Sequence, residues 1–396
     1  MIYMDNAATS WPKPEATYRA MDDFMRNIGA NPGRSGHSLS IKAGRCIYEA
    51  REAVARLFGV ENPLRIIFTS GATEALNLVI NGILRPGDHV ITSGMEHNSV
   101  MRPLRYAESK GIDLTVMPCS RAGSLDAKDV EQAIRRNTVL IILNHASNVV
   151  GTILPIVEVG EIARRQGLLF CVDAAQTAGA YPINVEEAKI DLLVFAGHKS
   201  LFGPPGTGGL YIREGVEELL PPLVRGGTGS RSEYEQQPAF LPDKYESGTP
   251  NTVGLAGLGA GVRFVQSEGI LKLREKEKKL TQLLITGLSS IAGVAIYGSK
   301  DAQKQVAVIS FNIAGVASSE VAMALEEEYQ ISCRPGLHCA PEAHKTIGTF
   351  PHGTVRLSPG YFNTEQEVSI AIEAVSRVSK KLGRDEVTIV TSEEAS

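Results

Sequence analysis

Four stretches of the chain place reactive side chains directly behind apolar runs. Gly197-His198-Lys199 follows DLLVF (Asp191 to Phe195) and precedes the turn-rich LFGPPGTGG. A lysine just after a buried strand is out of place, although a solvated surface amine is the ordinary role of any one lysine. Asp173 follows the run LLFCV and precedes Ala174, Ala175 and Gln176. An acid at a strand's C-terminal end can keep a bound ring nitrogen protonated, and Gln176 can hydrogen-bond a ring hydroxyl; capping a helix is the alternative role for such an aspartate. Ser70-Gly71-Ala72-Thr73-Glu74 joins RIIFT to a helical pattern, so its backbone N–H groups and the Thr73 hydroxyl form an anion site suited to a phosphate. Ser or Thr followed by Glu is also a plain helix start. Glu96-His97-Asn98-Ser99, after HVITSGM, sets an imidazole at another strand end, where it can stack on an aromatic ring or serve structure alone.

Two residues further along add a nucleophile and a clamp. Cys339 lies in Arg334-Pro335-Gly336-Leu337-His338-Cys339-Ala340-Pro341, a loop whose Pro and Gly are expected to prevent regular structure and leave the thiol mobile. Cys46, Cys119 and Cys171 read instead as small buried hydrophobes. Cys333, right after YQIS at what looks like a strand end, is close enough to be a rival or resolving thiol. His338 with Cys339 is too small a set for a metal site, and no metal is expected. Arg356, in TVRLS, offers a planar guanidinium that matches an amino-acid carboxylate; an ordinary surface arginine is the alternative.

The elements that must carry these groups show a βαβα rhythm. RIIFT, HVITS, DLTVM, VLIIL, LLFCV and DLLVF read as buried strands, with helical patterns such as DAKDVEQAIRR and IVEVGEIARRQG between them. That is the pattern of a largely parallel sheet covered on both faces, and such α/β sheets bind ligands at their strands' C-terminal ends. Gly226 to Pro250 breaks the rhythm and reads as a long functional loop. A long helix from about Gly254 to Lys279, interrupted near Gly269, then leads into a smaller α+β region containing VAVISFNI and VAMALEEEY. With 396 residues the chain invites two domains. We set them at 15–267 and 268–385, with 1–14 packing on the second and 386–396 as a tail.

A formal charge of -4 with both signs spread along the chain leaves no basic stripe for nucleic acid and no polybasic membrane anchor. The absence of a leader pattern and of a long apolar stretch leads to the expectation of a cytoplasmic protein, with five cysteines mostly as reduced thiols.

Together the strand ends supply a phosphate site, a ring-stacking group, an acid and an amine, in the chain order used by enzymes of pyridoxal 5'-phosphate. At this point the sequence resembles the class V aminotransferase family, and within it the cysteine desulfurases and selenocysteine lyases of the SufS-like group. The motifs that carry the resemblance run from YMDNAATSWPKP through RSGHSLS, SGATEALNLV, EHNS, SNVVGTILPI, VDAAQTAG, FAGHKSLFGPPGTGGLY, ESGTPN and RPGLHCAP to TVRLS. The resemblance implies fold type I, with a mostly parallel seven-stranded sheet in a large domain and a smaller α+β C-terminal domain.

It also implies that Lys199 holds the cofactor as a Schiff base, His97 stacks on its ring, and Asp173 pairs with the ring nitrogen. Gln176 and Asn148 would flank the ring hydroxyl, while Ala72, Thr73 and His198 would bind the phosphate. Thr249 would reach the phosphate of a neighbouring subunit, making a homodimer, and Arg34 matches a family arginine. Arg356, with Asn148 near, would hold the substrate carboxylate. The implied reaction takes sulfur from L-cysteine: Lys199 moves the Cα proton, and the Cys339 thiolate accepts the sulfur, leaving alanine and a persulfide for an acceptor protein.

Two departures stand out. Ala196 replaces the family's usual hydroxyl residue two places before His198, which implies weaker cofactor retention, and the 226–248 segment is longer than expected. Selenocysteine lyase, which can act on L-selenocysteine without the loop cysteine, or a related C–S lyase remains an alternative. A nucleotide-dependent oxidoreductase is disfavoured because SGATEA lacks GxGxxG spacing. An inactive sulfur-carrier scaffold is disfavoured by the presence of Lys199, Asp173 and Arg356.

Overall fold

The computed structural model describes residues 1–33 and 36–383, so Arg34 and the proposed tail at 386–396 lie outside the described residues. Its strands are β1 (Ile2–Tyr3), β2 (Ile66–Thr69), β3 (His89–Ser93), β4 (Asp113–Met117), β5 (Thr138–Asn144), β6 (Leu169–Asp173), β7 (Leu192–Ala196), β8 (Gly208–Ile212), β9 (Val294–Tyr297), β10 (Ile309–Ile313), β11 (Ile331–Ser332), β12 (Arg334–Gly336) and β13 (Thr354–Leu357). Seven of them form one sheet in the order β2-β8-β7-β6-β5-β3-β4. Only β8 runs antiparallel to its neighbours; the other pairings are parallel.

The six apolar runs of the sequence lie on β2 to β7. Apart from edge strand β4, which is only partly buried, they are largely apolar because both faces are covered. Ile66, Phe68, Ile141, Phe170 and Phe195 enter one core, and Ile67, Leu140, Cys171, Leu192 and Val194 enter the other. The seventh strand, β8, reads GGLYI and lacks the β-branched run that marks the others. A Cβ on Gly208 would lie 2.6 Å from Gly71 Cα, and one on Gly209 would lie 2.4 Å from the Ile67 carbonyl. Crowding selects glycine there, and glycine conceals the strand from a reading based on propensity.

The pattern DAKDVEQAIRR yields a helix only over Ala127–Gln132; the chain then turns so that the Arg135 N–H donates to Thr138 Oγ1 at 2.7 Å. The long helix divides into Thr252–Glu268 and Ile270–Ser289, separated by Gly269 at φ +84°. Residues 226–250 carry neither helix nor strand. Their C-terminal part is pinned where Glu246 accepts both Arg51 η nitrogens at 2.7 Å and the Phe68 N–H at 2.7 Å.

The second sheet is antiparallel, ordered β12-β13-β10-β9, and packs on the helices Ile270–Ser289, Ser318–Tyr329 and Glu365–Leu382 through a separate apolar cluster. The opening residues join this region. β1 pairs in parallel with β11, and Asp5 bridges Ser358 just beyond β13.

Here one expectation is corrected, because Pro335 and Gly336 do not prevent regular structure. Both lie in β12, paired with Val355 and Thr354. β12 is an edge strand, where a proline's missing N–H breaks no ladder bond. Cys339 therefore sits in a tight link between β12 and the helix Pro341–Ile347. Among the described residues no helix is long and apolar enough to cross a membrane, and no group of three or more His, Cys, Asp or Glu could hold a metal ion.

Candidate active site

Lys199 stands three residues beyond β7. The turn that carries it is packed tightly, since a Cβ on Gly197 would meet Thr207 Oγ1 at 2.3 Å. The opening segment holds its backbone. Ser10 Oγ donates to the Lys199 carbonyl at 2.9 Å, and Thr9 Oγ1 and Lys13 Nζ donate to the His198 carbonyl at 3.0 and 3.1 Å. The Lys199 residue is partly accessible because it lines a cavity, yet its amine lies deep. Burial lowers its pKa to about 8 against the opposing pull of the Asp173 carboxylate. At neutral pH about a tenth of the amine is therefore free of its proton.

Asp173 closes β6 and is buried. Its Oδ1 accepts the Ala175 N–H at 2.9 Å. Burial raises its pKa, opposed by that hydrogen bond and by Lys199. Beneath it lies Glu96, which burial pushes up to about 8 despite hydrogen bonds from Ser93 and from the Asn144 N–H.

His97 caps the helix Asn98–Glu108: its Nδ1 accepts the Ser99 N–H at 3.0 Å, which leaves the ring proton on Nε2. Burial, reinforced by the Lys199 charge, lowers its pKa to about 4, so the ring is neutral. Ser99 Oγ also contacts His97 Nδ1 at 2.9 Å and Thr73 Oγ1 at 2.8 Å, tying the imidazole to the anion turn. In that turn Glu74 Oε2 accepts the Ser70 N–H at 2.8 Å and its hydroxyl at 2.6 Å. No side chain caps the helix Ala72–Ile83 itself, so its end is open to an anion.

One cavity of about 360 Å³ brings together Ala72, Thr73, His97, Asn148, Asp173, Gln176, His198, Lys199 and Arg356, with Ala196 in its wall. Several buried polar atoms in that wall have no protein partner: Asn144 Oδ1, Asn148 Oδ1, His198 Nδ1 and Arg356 Nε. An unpartnered buried polar atom costs about 1–3 kcal/mol, so their gathering at one cavity marks a polar ligand site. The amide nitrogens of the two ring-flanking candidates are both engaged, Gln176 Nε2 on the Ala7 carbonyl at 3.0 Å and Asn148 Nδ2 on the His338 carbonyl at 2.7 Å.

Two sequence candidates lie outside this cavity. Thr249 is exposed and accepts Asn31 Nδ2 at 3.3 Å. Cys339 is exposed and borders an adjoining recess shared with Thr73, His97 and Ser99. Its link is held in an unusual conformation, with His338 and Cys339 both left-handed at φ +48° and +58°. Buried His338 anchors it through Thr354 Oγ1 at 3.0 Å, and the Cys339 carbonyl accepts the Asn98 N–H at 2.8 Å. Cys333, by contrast, is partly buried, and burial raises its pKa to about 12, helped by Asp5.

Sequence reasoning missed two charged residues of the site. Arg334 lines the cavity and donates from Nη2 to Cys339 Sγ at 3.4 Å. Asp5 accepts Arg356 Nη2 at 2.7 Å, while Arg356 Nη1 donates to the Asn148 carbonyl at 2.9 Å. The signal for Asp5 was a lone acid among small residues in DNAAT, but its partner lies at the other end of the chain.

The chain matches the family described as Aminotransferase class-V over residues 2–370. It is 36% identical over 383 residues to a protein of Methanothermobacter thermautotrophicus named "Probable cysteine desulfurase", covering 96% of this chain and 94% of the relative. A protein of Dictyoglomus turgidum named "Cysteine desulfurase IscS" is 31% identical, covering 96% and 95%. Among solved structures, the apo cysteine desulfurase of Thermococcus onnurineus is similar with a TM-score of 0.90 at 35% identity, covering 96% of this chain and 95% of that one. The cysteine desulfurase CsdA of Escherichia coli is similar with a TM-score of 0.85 at 29% identity, covering 96% and 95%.

Proposed function

The chain belongs to the class V aminotransferase family, and from that premise we propose that it is a pyridoxal 5'-phosphate-dependent cysteine desulfurase that converts L-cysteine to L-alanine. Cys339 takes the sulfur as a persulfide and passes it to an acceptor protein. The observation that carries this reading is one cavity lined by Lys199, Asp173, His97 and Arg356, with an exposed thiol in the adjoining recess that shares His97 and Thr73.

The residues present fit the cofactor. The uncapped helix end at Ala72 and Thr73, with the unpartnered His198 Nδ1, suits a phosphate; the buried Asp173 carboxylate suits a ring N–H; Asn148 Oδ1 suits a ring hydroxyl. When bound, pyridoxal phosphate supplies a carbonyl carbon that accepts an amine and a protonated ring that stores an electron pair. Asp173 would hold the ring nitrogen and keep it protonated, and His97, neutral and fixed as its Nε2–H tautomer, would stack on the ring.

Arg356 holds the substrate carboxylate. Lys199, whose lowered pKa makes its free base accessible near neutrality, takes the proton from Cα and returns one. Cys339 Sγ, as the thiolate, then bonds to the substrate sulfur while the substrate Cβ–S bond breaks with its electron pair remaining on carbon, which is protonated to give alanine. Because β12 and the following helix hold the Cys339 link short, the thiol's reach is limited, and the acceptor docks beside the recess that it borders.

We extend the reading to a homodimer in which Thr249, outside its own cavity, reaches the partner's phosphate. The free thiols suit a reducing compartment such as the cytoplasm. The 226–250 segment forms part of the entrance in this reading. The test is to load the purified protein with cofactor and supply L-cysteine with a thiol reductant, measuring alanine and sulfide. Borohydride reduction and peptide mapping follow. Equal alanine and sulfide with the label on Lys199 supports the proposal; no alanine, or a label on another lysine, overturns it.

A further inference from the structure

Arg356 is an almost fully buried cation, 1% exposed in its side chain, and its surroundings are unusual for a group meant to receive a carboxylate. One carboxylate is already there: Asp5 Oδ1 sits 2.7 Å from Nη2. The Asn148 carbonyl takes Nη1 at 2.9 Å, and Nε is buried with no partner. A guanidinium of a cavity-lining residue that is held by a carboxylate on one nitrogen and a carbonyl on another is fixed in orientation. Burial lowers the Arg356 pKa, while Asp5 counters that effect.

Asp5 owes its place to the backbone. The Asn6 N–H donates to the Ser358 carbonyl at 3.1 Å and the Ser358 N–H donates to the Met4 carbonyl at 2.7 Å, so the chain around Asp5 runs as an extra strand beside the end of β13, two residues from Arg356. Tyr3 Oη adds a bond to the Asp5 carbonyl at 3.2 Å. A second cation lines the same cavity: Arg334 donates to the Cys339 thiol. With Asp5 answering Arg356, this side of the cavity has one surplus positive charge. Without Asp5 it would have two.

We propose that Asp5 is a positioning residue that orients the Arg356 guanidinium and, by cancelling one of two neighbouring arginine charges, tunes the cavity to amino acids with a single carboxylate over those with a second anionic group. The pairing of Asp5 Oδ1 with Arg356 Nη2, beside the unpartnered Nε edge and the nearby Arg334, carries this inference. It rests on the reading of Arg356 as the carboxylate site, but not on which bond of the substrate is broken.

The test reads equilibrium binding rather than turnover. Cofactor-loaded protein is titrated with L-alanine and with L-cysteate, which bears an added sulfonate, and the change in the cofactor's visible absorbance is followed. The unmodified protein should bind L-alanine about tenfold more tightly than L-cysteate, because the extra anion meets only one uncompensated cation while losing its hydration. Asp5→Asn keeps an oxygen for Nη2 and removes only the charge, so the ratio should shift by about tenfold toward L-cysteate with cofactor content unchanged. Asp5→Ala, which also frees the guanidinium, should weaken L-alanine about tenfold, and Asp5→Glu should restore part of the preference.

A purely structural role for Asp5 would lower thermal stability or cofactor content and leave the ratio alone. An unmodified protein that binds both ligands equally, or an Asp5→Asn protein with the parental ratio, overturns the proposal. Alanine production from L-cysteine is measured in parallel. Its absence, with the binding ratios as expected, would sink the desulfurase reading and leave the role of Asp5 standing.

Discussion

Lys199 stands beyond a strand near the middle of a seven-stranded sheet, whereas Cys339 stands beyond an edge strand of a four-stranded one. The two groups need opposite surroundings. An ammonium must be desolvated to give up its proton near neutrality, and central strand ends provide that depth. A thiol that must hand sulfur to another protein needs access, and its useful neighbour is a cation such as Arg334 rather than an apolar wall. Cys333 shows what depth does to a thiol: six residues away and partly buried, it is pushed up to about 12. In the proposed reading, an amine built into the core works with an exposed thiol in the recess beside its cavity.

Substitutions can break that contrast at either end. Lys199→Ala should have the largest effect, lowering alanine production by about a thousandfold or more, because the covalent attachment and the proton carrier are lost together. A variant that keeps even a tenth of the activity would remove the amine site from the mechanism. Cys339→Ala should lower sulfur release from L-cysteine by about a hundredfold while leaving cofactor absorbance intact, and Cys333→Ala should leave both unchanged. Retained activity of Cys339→Ala on L-selenocysteine, with loss on L-cysteine, would favour the lyase; the reverse pattern in the two thiol variants would make Cys333 the sulfur carrier.

The third expectation sharpens the amine side. Burial depresses the Lys199 pKa to about 8, so its free-base fraction grows as pH rises through that value. Cofactor uptake by the apo-protein should accelerate about tenfold between pH 7 and pH 9 and then level off, followed by stopped-flow absorbance. Uptake that is flat across this range, or still rising steeply above pH 9, would show that the amine is not desolvated. The smallest effect belongs to Ala196→Ser. A hydroxyl restored at this buried wall position should slow cofactor loss on dialysis about fivefold through one added hydrogen bond. No slowing would mean that the backbone donors at Ala72 and Thr73 already satisfy the phosphate.

The same contrast explains what could be read from the sequence. Strands that bury both faces, such as β3, β5, β6 and β7, announce themselves as largely apolar runs, and the polar residues that follow them stand out. Lys199, Asp173, His97 and Thr73 were singled out that way, and the fold brings them to one cavity. β8 was hidden because close packing on Gly71 and Ile67 replaced its side chains with glycine. The thiol side was harder. Pro335 and Gly336 look like loop residues in any local window, and only their pairing with β13 makes them a strand. Asp5 and Arg334 escaped notice because their meaning comes from partners that local spacing cannot supply.

That remoteness has a consequence for how the protein is made. Asp5 is separated from Arg356 by 351 positions, and β1 must wait for β11 before it has a strand to join. Residues synthesised long before their partners are thus among the last that can settle. Closing so wide a span delays the final adjustment of the arginine until nearly the whole chain has emerged and the large sheet can form. Throughout that interval the opening segment, with its apolar Ile2 and Met4, has to remain free of other sheet edges.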